Sequence, residues 1–120
     1  MSDQALSGFP FFRNNIRENF PRVLEETNWK SYSANCNLLC FHQCVEGSKV
    51  GPGNFTFRNQ RDVVKISDIP GDFAAVLSGH IHRFQVLTKD LRGKSIPTSI
   101  FYPGSIERTS FAEGMKTKVF

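Results

Sequence analysis

The sequence lacks any long hydrophobic run, and its apolar stretches fall far below the about 20 residues that a membrane-spanning helix requires. The residues that follow Met1 also lack the charged and then apolar pattern of a secretory signal peptide. The chain nevertheless has 39% hydrophobic residues and 12 phenylalanines, which is enough apolar content to form a core. We therefore expect residues 1–120 to form a single cytoplasmic domain that has no membrane partner.

A strong excess of one charge is also missing, because 15 lysines and arginines stand against 11 aspartates and glutamates. The resulting net charge of +4 suits a polyanionic substrate but does not identify one. The basic residues are spread along the chain and form no dedicated nucleic-acid-binding patch. Charge alone therefore leaves the class of substrate open.

Cysteine is scarce, and the three cysteines, Cys36, Cys40 and Cys44, lie within nine residues of one another. An odd number packed this closely does not form a disulfide framework and fits a reducing compartment. His42 lies among them, so a structural zinc site is an alternative, although such sites usually use two separated ligand pairs and no second pair exists here. Because positions four and eight apart share one face of a strand, small buried thiols are the favoured interpretation.

The chain has three histidines, and each follows a short apolar run that is typical of a buried strand. His42 follows residues 36–41, which are apolar on both faces and predict a central strand, while His80 and His82 follow residues 73–77. Ligands collect beyond the carboxyl ends of strands in open α/β sheets. In an extended segment His80 and His82 would point the same way, so each could bind one ion of a metal pair about 3.5–4 Å apart. The alternative is a set of solvent-facing histidines without a ligand.

Residues 1–30 are expected to form a helical lead-in, that is, a helical segment that precedes the sheet. Pro21 predicts two short helices in this segment rather than one. The apolar positions of this segment recur at helical spacing. Residues 84–88 and 96–102 alternate as strands around a polar turn and predict an antiparallel hairpin, with Pro97 at an edge or strand entry. The expected fold class is therefore α/β, with a mixed sheet that ends in a C-terminal antiparallel hairpin.

Four segments together resemble the calcineurin-like metallophosphoesterase family, and most closely its branch of bacterial DNA-repair exonucleases. They are His42-Gln43 after a buried strand, Gly-His-Ile-His-Arg at 79–83, Tyr-Pro-Gly-Ser-Ile-Glu-Arg at 102–108 and Ser-Phe-Ala-Glu at 110–113. The resemblance covers residues 36–113 and implies part of a layered α-β-β-α sandwich. It also implies phosphoester hydrolysis, with nucleic acid among the substrates, by two divalent ions that are manganese, iron or zinc.

The resemblance implies that His42 and His80 bind one ion and that His82 binds the other. It assigns Arg83, Ser105 and Arg108 to the pocket that binds the substrate phosphate, although a structural role is open for each of these three. The family's other ligands come from Asp-x-His, Gly-Asp-x-x-Asp and Gly-Asn-His segments, and none of these is present.

The chain therefore looks like the second half of such an enzyme, and three neutral imidazoles supply no anionic ligand for two divalent ions. We expect little or no turnover and at most weak binding of a single ion, unless the missing N-terminal half or a partner chain supplies the other ligands. The alternative is a non-catalytic module, either a remnant that pairs with a partner or a phosphate-binding domain.

Overall fold

The computed structural model describes residues 4–104 of the chain. These residues form nine strands and one α-helix, with short 3₁₀ turns at Trp29–Ser31 and Ile66–Asp68. The elements are β1 (Gln4–Gly8), α1 (Ile16–Glu26), β2 (Cys36–Phe41), β3 (Cys44–Val45), β4 (Lys49–Val50), β5 (Phe55–Thr56), β6 (Val63–Val64), β7 (Ala75–Ser78), β8 (Gln85–Lys89) and β9 (Ser95–Tyr102). Within residues 4–104, no helix combines the length and apolar character needed to cross a bilayer.

The main sheet has five strands in the order β1-β2-β7-β9-β8. Strands β1, β2, β7 and β9 run parallel to one another, whereas β8 pairs with β9 in an antiparallel hairpin. The predicted α/β class, mixed sheet and hairpin are therefore confirmed. Pro97 lies in the first part of β9, at the point where the register of the β8–β9 hairpin shifts. The pairing of β9 with β7 begins only at Ser99, so the missing N–H of Pro97 removes few hydrogen bonds between strands.

The helical lead-in predicted for residues 1–30 is wrong at its start, because residues 4–8 form strand β1. The sequence Gln-Ala-Leu-Ser-Gly has little intrinsic strand preference, so its pairing with β2 decides its conformation. Gly8 is needed for this close approach, since a Cβ there would collide with the Cys40 carbonyl oxygen. The Phe9 N–H donates to the same oxygen at 3.3 Å and leads the chain out of the strand.

The prediction of two short helices is also wrong, because α1 continues through Pro21 without a break. A proline inside a helix costs about 3 kcal/mol. The helix buries four side chains along one stripe, namely Ile16, Phe20, Val23 and Leu24. Each such side chain contributes about 1.5–3 kcal/mol when it is fully buried, so the packing outweighs the cost of Pro21.

The two faces of the main sheet differ in their burial. The inner face packs against α1, where the Phe20 and Phe41 rings lie 5.9 Å apart, and its buried side chains are Leu39, Phe41, Val76, Ile100 and Tyr102. The open face consists of Leu6, Leu38, Cys40, Leu77, Val86 and Phe101, which the register places side by side. Leu6 is 66% exposed and Phe101 is 36% exposed.

The open face corrects the prediction that residues 36–41 are buried on both sides. Leu39 and Phe41 are buried, whereas Leu38 and Cys40 are only half-buried. The physical reason is that β2 alternates its side chains, and among residues 4–104 no layer covers the open face. Cys36 and Cys40 share that face, but Cys44 lies apart in β3, and all three cysteines are free.

Candidate functional site

Two of the three histidines meet at the carboxyl edge of the main sheet. Strands β2 and β7 are parallel neighbours, and Phe41 pairs with Ser78 at their last positions. His42 follows the first strand directly, and His80 follows the second after one residue. The Gly79 N–H donates to the Phe41 carbonyl at 3.1 Å and holds the two chain ends together. The parallel register therefore places His42 beside His80, as predicted from the strand ends.

The imidazole rings of His42 and His80 have centroids 5.1 Å apart and an interplanar angle of 76°. With a metal–nitrogen bond of about 2.1 Å, an ion lies about 3.2 Å from the centroid of a ligating ring. Two imidazoles that share one tetrahedral ion therefore have centroids about 5.2 Å apart. The observed centroid spacing fits both a shared ion and an ordinary edge-to-face contact of two rings.

The backbone around the rings is adapted to this close approach. His80 has φ of 81°, a left-handed conformation that is uncommon for any residue other than glycine and that concentrates at functional sites. Gly79 lies directly against the other ring, because a Cβ at Gly79 would come 2.6 Å from His42 Nδ1. The glycine of the Gly-His pair is thus required by the position of His42.

Gln43, Ser78 and Tyr102 hold the turn that carries His42. The Tyr102 hydroxyl donates to the Gln43 carbonyl at 2.6 Å, and the Ser78 hydroxyl donates to the same oxygen at 2.8 Å. Burial raises the pKa of Tyr102 well above its ordinary value, so the hydroxyl keeps its proton and remains a donor. The Gln43 side chain is fully buried and accepts from the Phe12 N–H at 2.6 Å. Within the described chain, Gln43 Nε2 is buried without a partner.

The protonation of His80 favours a ligand role. Partial burial lowers the pKa of His80, the nearby His42 and His82 lower it further, and Asp62 opposes the shift. The neutral imidazole, which is the form that binds a metal ion, is therefore favoured near neutral pH.

Phe11 is a component of the site that the sequence did not reveal. Its ring stacks on His80 with centroids 5.2 Å apart and an interplanar angle of 14°, and it meets the His42 ring edge-on at 6.2 Å. The segment after β1 reaches this edge because β1 runs parallel to β2 and ends beside Cys40. The run of aromatic residues at 9–12 was the available signal, but its partner lies far away in the sequence.

His82 does not complete a cluster with the other two histidines. Strand β7 ends at Ser78, and the left-handed backbone at His80 breaks the extended geometry on which the prediction for His82 relied. Within residues 4–104, no group of three or more His, Cys, Asp or Glu side chains is placed to hold a metal ion. His82 influences the pKa of His80 and is exposed, so its role as a ligand stays a prediction.

Of the three predicted phosphate-binding residues, the structure describes only Arg83. The Arg83 side chain is exposed and its Nη1 donates to the Gly51 carbonyl at 3.4 Å, which ties it to the neighbouring loop. Ser105 and Arg108 lie outside the described residues. Their role in binding substrate therefore stays a prediction.

The cysteines give little support to the zinc alternative. Burial, helped by the Asp62 charge, raises the pKa of the Cys44 thiol to about 11. The thiolate is the form that binds zinc, and it is disfavoured at this position near neutral pH. Cys44 therefore acts as a small buried thiol.

Comparisons of the chain with models of known protein families and with curated protein sequences found no match. The chemistry of the site is therefore inferred from its donor groups. Two imidazoles suit iron or zinc better than manganese, which prefers oxygen ligands, and they leave at least half of the coordination positions of an ion open. A second ion would need carboxylate ligands, and none joins the histidine pair within residues 4–104.

Proposed function

We propose that the chain forms the imidazole-bearing, C-terminal part of a metal-dependent phosphoesterase with an α-β-β-α sandwich fold. The proposed reaction is hydrolysis of phosphodiesters, and nucleic acid is a substrate that the net charge of +4 suits. The observation that carries the proposal is the 5.1 Å spacing of the His42 and His80 rings, which matches two ligands of one ion.

The residues of the chain have separate roles in this proposal. His42 and His80 bind one divalent ion through their imidazole rings, and His82 binds a second ion. The ions are manganese, with iron or zinc as alternatives, and when bound they supply Lewis-acid polarisation of the phosphoryl oxygens. Arg83, Ser105 and Arg108 bind the substrate phosphate through their donor groups.

The site also needs carboxylates, which we propose come from the N-terminal half of the enzyme or from a partner chain. The open face supports this, because it is apolar, uncharged and contiguous across all five strands. A cavity of about 500 Å³ is lined both by Leu6 and Cys40 of the open face and by His42 and Gly79. A polypeptide packed on the open face would therefore reach the His42 imidazole.

Cobalt(II) titration followed by visible absorption tests the shared ion, since Co²⁺ reports coordination directly. We expect weak binding of one ion to the chain, reduced about tenfold or more by His42→Ala and by His80→Ala. His82→Ala is the matched control and should change the affinity by less than about twofold. Equal affinities for the unmodified chain, His42→Ala and His80→Ala would rule out the shared ion.

A second candidate function is a non-catalytic module that pairs with another chain. The exposed open face favours it, as does the lack of a converging carboxylate among residues 4–104. A phosphodiesterase assay with added Mn²⁺ separates the two candidates. Turnover by the purified chain alone that His82→Ala abolishes would refute the non-catalytic module. Turnover that appears only after a carboxylate-bearing partner is added would support the divided active site.

A further inference from the structure

A separate cavity lies at the other end of the main sheet from the histidines. It has a volume of about 650 Å³, which is within the range of ordinary ligand sites. It opens near Asn37 at the start of β2 and near Pro70 and Asp72, which precede β7. The imidazole pair instead follows the carboxyl ends of these strands, so the cavity shares no residue with the proposed phosphoesterase site.

The walls of this cavity are held by the core. Trp29 is 9% exposed, and its ring packs on Phe73 with centroids 4.7 Å apart. The Ala74 N–H donates to the Asn37 carbonyl at 2.7 Å, and the Thr98 hydroxyl lies 3.1 Å from the Pro70 carbonyl. The cavity is therefore formed before any ligand arrives, which lowers the entropic cost of binding.

The charge of the cavity is opposite to that of the chain. Glu25, Asp68 and Asp72 line it together with a single ammonium group, that of Lys30, whereas the whole chain carries a net charge of +4. None of the three carboxylates takes part in an ion pair among residues 4–104, where the described pairs are Arg17–Glu46 and Arg22–Glu26. The cavity thus carries an excess of negative charge and attracts cations.

An aromatic wall supplies a second and independent preference for cations. The Lys30 ammonium lies over the Trp29 ring, 5.7 Å from its centroid, so this ring already contacts a cation of the chain itself. Tyr32, which is 55% exposed, lines the same cavity. The apolar wall formed by Pro21, Leu24 and Pro70 suits the methylene groups of a long side chain.

We propose that this cavity binds the guanidinium or ammonium group of an arginine or lysine side chain on another polypeptide. The carboxylates pair with the cation, the Trp29 and Tyr32 rings face it, and the Lys30 ammonium is displaced from the ring. This inference does not depend on the proposed phosphoesterase function, because it uses none of the histidines.

The chain contains one tryptophan, so the fluorescence of Trp29 reports binding at this cavity directly. The probe is N-acetyl-arginine amide, and we expect a saturable change in Trp29 fluorescence with a dissociation constant of roughly millimolar. The neutral N-acetyl-norleucine amide should give no saturable change. Propylguanidinium, a free guanidinium with the same single charge, should bind no more tightly than the arginine amide, and tighter binding of propylguanidinium would refute the assignment to a protein side chain.

Variants test the role of the charges. The double variant Asp68→Asn and Asp72→Asn should weaken binding of the arginine amide about tenfold, and Lys30→Met should tighten it about threefold by removing the competing ammonium. Glu26→Gln is the control, because it removes a carboxylate that is next to Glu25 in α1 but does not line the cavity. An unchanged affinity for the arginine amide in both the Asp68 and Asp72 double variant and Lys30→Met would overturn the proposal. His80→Ala should not change this affinity.

Discussion

Replacing Gly79 by alanine would place a Cβ 2.6 Å from His42 Nδ1, whereas ordinary contacts begin near 3.4 Å. The His42 ring would therefore have to move by about 0.8 Å, and metal–ligand distances tolerate only about 0.2 Å. Gly79 does not have a positive φ, so alanine fits the backbone itself. His42 is exposed and its ring can turn toward solvent, so the free energy of unfolding should change by only about 0.5 kcal/mol.

The expected result of Gly79→Ala is thus a loss of Co²⁺ affinity of about tenfold or more in a chain that remains folded. The measurements are the cobalt titration and urea denaturation of the same sample. Gly53→Ala is the matched control, because a Cβ at Gly53 meets nothing within 4 Å and should alter neither quantity. Unchanged cobalt affinity in Gly79→Ala would show that the position of the His42 ring does not determine metal binding.

Tyr102→Phe removes one of two donors to the Gln43 carbonyl, so urea denaturation should show that the free energy of unfolding falls by about 0.5–1.5 kcal/mol. A fall above about 3 kcal/mol would contradict the conclusion that the Ser78 hydroxyl still donates to this carbonyl. Leu39→Ala on the inner face should cost about 2–5 kcal/mol, whereas Leu77→Ala on the open face, where the side chain is 38% exposed, should cost about 1 kcal/mol or less. Equal losses for these two leucines would mean that the open face is covered. The raised pKa of Cys44 means that the folded chain holds the thiol proton more tightly than the unfolded chain does, so stability should fall as the pH rises from 9 toward about 11. At pH 8 iodoacetamide should modify the other cysteines before Cys44, which mass spectrometry of the peptides would show.

Local patterns predicted several elements because their signals lie within a few residues of one another. The alternation at 84–88 and 96–102 predicted the antiparallel hairpin, and the apolar run at 36–41 predicted strand β2. The rule that ligands gather at the carboxyl ends of parallel strands predicted from the sequence that His42 and His80 lie together. The prediction for His82 assumed an extended chain, whereas His80 has a positive φ, so the role of His82 as a ligand stays a prediction.

Local patterns were sufficient to predict the α/β class, the apolar stripe of α1 and the edge of the sheet at which His42 and His80 lie. Three features required the folded chain: residues 4–8 become a strand, α1 continues through Pro21, and the Phe11 ring stacks on His80. These features depend on pairing and packing between segments that are distant in the chain, and they override local preference when the buried area is large enough. The same reason explains the open face and the cation-attracting cavity, because exposure is a property of the assembled layers and cannot be read from the residues of one strand.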